Sequence, residues 1–132
     1  MMNELNESAS FLKAAIKNKP LVGVVLGSGL GDLVKEMEVE TEVAYKDIPH
    51  FPISTVKGHS GKLSFGKLGG KDAVIMQGRF HYYEDYSMQE VVFPIRVMKL
   101  LGVETIFITN ASGGLNPEIK VGELCVITDH IN

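Results

Sequence analysis

An α/β fold, with a β-sheet covered on its faces by other elements, is what this sequence predicts, and three observations carry the prediction. Short apolar runs of strand length recur at Leu21–Leu26, Glu104–Asn110 and Glu123–Thr128. Helical patterns at Asn6–Asn18 and Met88–Leu101 are interspersed with strand-like segments. Glycine-rich loops follow two of the apolar runs directly. Strands that read as continuous apolar runs are buried on both faces, and such strands mixed with helices indicate a layered sheet.

The elements follow in order. Asn6–Asn18 predicts a first helix with Phe11, Leu12, Ala15 and Ile16 on one face, ended by Lys19-Pro20, because proline cannot continue a helix. Leu21–Leu26 predicts a buried strand, and Gly27-Ser28-Gly29-Leu30-Gly31 follows it at once, with a short helix from near Leu30. Thr41–Tyr45 predicts a strand, followed by irregular chain around Pro49 and Pro52. Lys62–Leu68 and Asp72–Gln77 flank Gly69-Gly70, a pair that accepts the positive φ angles of a tight hairpin turn. Met88–Leu101 predicts the best-defined helix. Ser87 with Glu90 three residues on makes a capping box, Gly102 closes it, and Pro94 inside bends the axis. Glu104–Asn110 predicts a second buried strand containing Ile106, Phe107 and Ile108. Ala111–Pro117 is turn-rich, and Glu123–Thr128 predicts a third buried strand.

Composition bounds the function. A chain of 132 residues is one domain, with 45% hydrophobic and 22% charged residues, close to soluble globular averages. It is long enough to bury about two thirds of the surface its unfolded form exposes. The net charge of −3 argues against a nucleic-acid partner, which favours a basic excess, so any anion site must be local. The single cysteine, Cys125, lies in the apolar run Leu124–Ile127 and reads as a small buried hydrophobe rather than a nucleophile. The acidic N-terminus has no signal-peptide layout, and no apolar run approaches membrane-spanning length. A cytoplasmic, reducing compartment is the expectation.

Chemistry concentrates in Gly78-Arg79-Phe80-His81-Tyr82-Tyr83-Glu84, which lacks the period of a strand or a helix. Arg79 suits an oxyanion, because its planar fork bonds two oxygens at once. The histidine, the tyrosines and the carboxylate supply donors, acceptors and an apolar ring. Gly27–Gly31 fits two roles equally: a backbone nest for an anion with the Ser28 hydroxyl added, or a tight strand-to-helix turn. His59 lies among glycines that permit close ligand approach, whereas His50 and His130 read as structural or surface residues. In open α/β sheets ligands bind beyond the carboxyl ends of strands, where Ser28, Arg79 and Ala111-Ser112-Gly113-Gly114 all fall.

Other anion and catalytic patterns fit badly. The dinucleotide fingerprint would need glycine at Asp32, and the P-loop would need it at Val56 ahead of Gly61-Lys62. A nucleophile elbow of G-x-S-x-G type is missing, because the glycines flank Ser28 directly. His81 and Glu84 are an i, i+3 pair without a third ligand nearby, so no metal is expected.

Four segments, Gly27-Ser28-Gly29-Leu30-Gly31, Gly58-His59-Ser60-Gly61, Gln77–Glu84 and Thr109–Asn116, occur in an order and spacing that resembles purine nucleoside phosphorylases of the trimeric type. The resemblance runs from about Leu21 to the last residue. It implies a three-layer sandwich, with a central mixed β-sheet flanked by helices and incomplete at the C-terminus. The 132 residues would be the N-terminal portion of a single phosphorylase domain. The implied activity is phosphorolysis of purine nucleosides or deoxynucleosides to free base and ribose or deoxyribose 1-phosphate. Inorganic phosphate is then a co-substrate, and no cofactor is needed. By position, Ser28, His59, Arg79, His81 and the backbone N–H of Ala111 resemble the phosphate site. Tyr83 resembles the sugar contact, and His81 and Glu84 the catalytic pair, with Glu84 orienting His81. A homotrimer is implied for the full-length form. The parts of the family that recognise the base lie beyond Asn132. The alternatives are a non-catalytic phosphate-binding remnant and a relative of the methylthioadenosine phosphorylases, whose arginine–histidine segment reads differently.

Overall fold

Five strands form one mixed sheet in the computed structural model, which describes residues 1–53 and 61–131. The strands are β1 (Val22–Val25), β2 (Glu38–Ala44), β3 (Lys62–Leu68), β4 (Lys71–Gln77) and β5 (Thr105–Ile108). They lie in the order β2-β3-β4-β1-β5. The pairs β2–β3 and β3–β4 are antiparallel, whereas β4–β1 and β1–β5 are parallel. Two helices, α1 (Met2–Ala15) and α2 (Met88–Leu101), complete the regular structure with three short 3-10 turns.

The strand pattern explains the layering. Side chains alternate along a strand, so successive residues point to opposite faces. In β4, Val74 and Met76 enter a core shared with Leu5, Ala9 and Leu12 of α1 and Phe93, Val97, Met98 and Leu101 of α2. Ala73 and Ile75 face the other way, with Val24 and Leu26, against Met37 and Val34 of the 3-10 turn Gly31–Glu36. The faces of the sheet are thus covered unequally, by two helices on one side and a single short turn on the other. Among the described residues no helix is long and apolar enough to cross a membrane.

Local chemistry sets the element ends. Gly69 and Gly70 take φ of +56° and +76°, the left-handed values that close the β3–β4 hairpin. Ser87 caps α2: its hydroxyl accepts from the Glu90 N–H at 3.3 Å, and the Glu90 carboxylate accepts from the Ser87 N–H at 2.8 Å. Gly102 ends the helix at φ +113°. Pro94 sits inside α2 with its ring buried.

Four expectations are corrected. α1 starts four residues before Asn6 and ends at Ala15, short of Lys19-Pro20. Its buried stripe is Leu5, Ser8, Ala9 and Leu12, the face turned to the sheet and α2, which leaves Phe11 40% exposed instead of in the core. β5 is shorter than Glu104–Asn110 and is not buried: Phe107 and Ile108 are 56% and 65% exposed. Its far edge has no partner strand among the described residues. Glu123–Thr128 forms no strand, because a strand needs a hydrogen-bonded neighbour and this segment makes only local backbone bonds among the described residues. Cys125 is therefore exposed, not a buried hydrophobe.

Candidate functional site

Three parallel strands, β4, β1 and β5, lie side by side, so their carboxyl ends open onto one edge of the sheet. Each end leads into one of the loops singled out from the sequence: Gly78–Glu84 after β4, Gly27–Gly31 after β1 and Thr109–Gly114 after β5. A crevice at adjacent carboxyl ends is where open α/β sheets bind ligands.

Arg79 joins two of these loops. Its Nη1 donates to the Thr109 carbonyl at 2.8 Å, and its Nε donates to His81 Nε2 at 2.9 Å. A guanidinium has five N–H donors and no acceptor, so three donors remain for a ligand. Among the described residues no carboxylate lies within ion-pair distance of Arg79, which leaves its positive charge uncompensated by protein. A guanidinium with free donors and no carboxylate partner has the chemistry to meet an oxyanion.

The same contact fixes the state of His81. Arginine only donates, so His81 Nε2 must offer a lone pair and the ring proton belongs on Nδ1. Nδ1 lies 3.3 Å from Glu84 Oε2, off the line of a hydrogen bond, and is a buried polar atom without a hydrogen-bond partner among the described residues. Glu84 is held in place by the His81 backbone N–H, which donates to the same Oε2 at 3.2 Å. The Tyr83 ring stacks on the His81 ring at 4.7 Å and 20° while remaining 78% exposed, so it faces solvent beside the imidazole. Arg79, His81, Tyr83 and Glu84 thus form one connected group.

The β1 loop joins through Gly27. Its N–H donates to Thr109 Oγ1 at 2.9 Å, and that hydroxyl donates in turn to the Val25 carbonyl at 2.9 Å. A Cβ at position 27 would stand 2.7 Å from the Thr109 carbonyl oxygen and 2.8 Å from Asn110 Cα, so only glycine permits this approach. Ser28 and Ala111 follow Gly27 and Thr109 by one and two residues, and both are exposed. His59 lies outside the described residues. His50 and His130 stand apart from the group. His50, at φ +62°, has its Nε2 2.6 Å from Glu7, and His130 is exposed near the chain end.

Two contributing residues were not singled out from the sequence. Thr109 was visible only as part of a motif. Tyr45, 3% exposed, donates its phenol to the Gly78 carbonyl at 2.6 Å, one residue before Arg79, and packs its ring against Gly61. Burial pushes the Tyr45 phenol well above its ordinary pKa, so it stays a neutral donor. From the sequence Tyr45 was the last residue of the expected strand Thr41–Tyr45, and nothing there pointed to its bond with Gly78.

Comparisons with known proteins agree with this geometry. A family profile described as the phosphorylase superfamily matches residues 21–132. Purine nucleoside phosphorylase 1 of Bacillus subtilis is 52% identical over 132 residues, covering 100% of this chain and 49% of its own length. Purine nucleoside phosphorylase of Rattus norvegicus is 50% identical over 129 residues, covering 98% of this chain and 45% of its own. Among solved structures, isoform 2 of purine nucleoside phosphorylase from Schistosoma mansoni, in complex with cytosine and ribose 1-phosphate, superposes with a TM-score of 0.85. Its identity is 46%, and the match covers 92% of this chain and 42% of that one. The chain spans about half the length of the curated relatives it matches.

Proposed function

We take as premise that this chain belongs to the phosphorylase superfamily, and we propose that it supplies the phosphate site and part of the sugar site of a purine-nucleoside phosphorylase. The reaction is attack of inorganic phosphate on C1′ of a purine nucleoside. The C1′–N bond breaks as the C1′–O bond forms, and the electron pair leaves with the base. The products are free purine and ribose or deoxyribose 1-phosphate, and no metal or covalent enzyme intermediate is required.

The observation that carries this reading is Arg79, tethered at two N–H groups and uncompensated at the rest. Phosphate is a poor nucleophile until it is oriented, and a departing sugar develops positive charge at C1′. A fixed phosphate supplies both the attacking oxygen and a stabilising negative charge. Arg79 grips the anion, with Ser28, His59 and the Ala111 N–H as further contacts, and His81 serves the site by holding the guanidinium through Nε2. Glu84 orients His81, and Tyr83 meets the sugar. The full-length form acts as a cytoplasmic homotrimer in purine salvage.

The test is inosine cleavage with and without phosphate, by a form extended to the length of the relatives. Phosphate-dependent release of hypoxanthine is expected, and equal release without phosphate defeats the proposal.

A further inference from the structure

We propose that Thr109 is a positioning residue for the phosphate site, acting as a bolt that sets the Gly27–Ser28 loop against Arg79. The proposal rests on the phosphorolysis reading above, and goes beyond it by assigning to Thr109 the alignment of the loops after β1 and β4.

The geometry leaves the hydroxyl one arrangement. A threonine hydroxyl has a single proton, and Thr109 Oγ1 gives it to the Val25 carbonyl at 2.9 Å. Its lone pairs therefore face the Gly27 N–H at 2.9 Å. The backbone reinforces the joint, because the Thr109 N–H also donates to the Val25 carbonyl at 3.1 Å. The opposite pole of the same residue, its carbonyl, accepts from Arg79 Nη1 at 2.8 Å. One residue at the end of β5 thus holds the β1 loop by its side chain and the β4 loop by its main chain. Gly27 is buried and Ser28 follows it at once, so the amide at 27 decides where the hydroxyl at 28 stands.

A threonine serving only to close a strand end would need neither link. A buried N–H deprived of its acceptor is costly, so without the hydroxyl the Gly27 loop moves to find another partner. The guanidinium and Ser28 then lose their common reference, and phosphate affinity falls.

The experiment compares Thr109→Val, which keeps the shape and deletes the hydroxyl, with Thr109→Ser, which keeps the hydroxyl. Calorimetric titration with inorganic phosphate is paired with amide hydrogen exchange at Gly27 and at Ile75 in the middle of β4. In Thr109→Val, phosphate binding is expected to weaken roughly tenfold, with Gly27 exchange accelerated by a similar factor and Ile75 unchanged. In Thr109→Ser both quantities stay within about threefold of the parent, since one buried methyl is a small change. A Thr109→Val variant that binds phosphate like the parent overturns the proposal while leaving the phosphorolysis reading intact. So does equal acceleration at Gly27 and Ile75, which would mark a purely structural role. Should Thr109→Val fail to fold, a folded Thr109→Ser variant that has lost phosphate is the decisive contrary result. A parent chain that binds no phosphate defeats the reading itself, and the proposal with it.

Discussion

Replacing Arg79 by alanine and by lysine separates the charge of this side chain from its shape. In the structure two of its five N–H donors are engaged, by His81 Nε2 at 2.9 Å and the Thr109 carbonyl at 2.8 Å. Three remain, enough for a bidentate grip on one oxyanion. A hydrogen bond involving a charged group contributes roughly 1.5–3 kcal/mol. Two such bonds in a half-exposed loop come to about 3–4 kcal/mol. At about 1.4 kcal/mol per decade, Arg79→Ala should raise the phosphate dissociation constant by two to three orders of magnitude. Lysine keeps the charge as a single compact point and cannot reach His81, Thr109 and the anion together. Arg79→Lys should therefore lose one bond, about tenfold in affinity. Isothermal titration with inorganic phosphate at constant ionic strength reads both values, and a thermal melt confirms that each variant is folded. A dissociation constant within about twofold of the parent in Arg79→Ala would refute the placement of Arg79 in the site. Equal losses in the two variants would refute the claim that its forked geometry matters.

Tyr45→Phe removes the bond to the Gly78 carbonyl but keeps the ring against Gly61. It should lower stability by about 1 kcal/mol, seen as a drop of a few degrees in melting temperature. Gly27→Ala should destabilise by about 1–3 kcal/mol, because its methyl would press on the main chain at 109–110 and force β1 and β5 apart; an unchanged melt would contradict that close approach. Glu42 is held below the usual carboxylate range, chiefly by Lys62 at 2.7 Å and also by the Ser64 hydroxyl at 3.0 Å. A carboxyl lowered by folding stabilises above its unfolded pKa and loses that contribution as pH falls through the folded value. Denaturant unfolding of Glu42→Gln should therefore show a weaker acid dependence than the parent.

Much of the scaffold was legible in the sequence where local chemistry decides. The ends of α2 follow from the Ser87–Glu90 box and Gly102, and the β3–β4 hairpin from Gly69-Gly70. These signals are satisfied within a few residues, so nothing distant can override them. Glu123–Thr128 shows the opposite case. Its apolar run satisfies the strand pattern, but the pattern says nothing of the neighbour a strand must pair with. Phe11 was misplaced for a related reason: what packs against a helix decides which face is buried, and here that face carries Leu5, Ser8, Ala9 and Leu12. Within the candidate site, Arg79 and His81 are two residues apart, and their contact could be anticipated as chemistry in one loop. Thr109 lies 82 positions from Gly27 and 30 from Arg79, so its role depends on β1 lying between β4 and β5. Strand order is a property of the whole sheet, and no window of sequence contains it.

Arg79 and His81 form a unit whose parts constrain each other. A free arginine side chain must give up several rotatable bonds to meet an anion, and that ordering opposes binding. Here Nε and Nη1 are tied to His81 and to the Thr109 carbonyl, which limits that cost. The tie works only while His81 Nε2 carries a lone pair. A proton there would set an imidazolium against a guanidinium and break the 2.9 Å contact. Glu84 Oε2 lies 3.3 Å from Nδ1, on the opposite side of the ring from the nitrogen that accepts from Arg79. On the proposed reading the carboxylate stands behind the imidazole, away from the free donors of the guanidinium. This arrangement answers an electrostatic difficulty: Arg79 needs a fixed orientation, yet a carboxylate bonded to it directly would cancel the charge that attracts phosphate. A histidine and a main-chain carbonyl supply the orientation instead, and on the proposed reading the positive charge is left for the oxyanion.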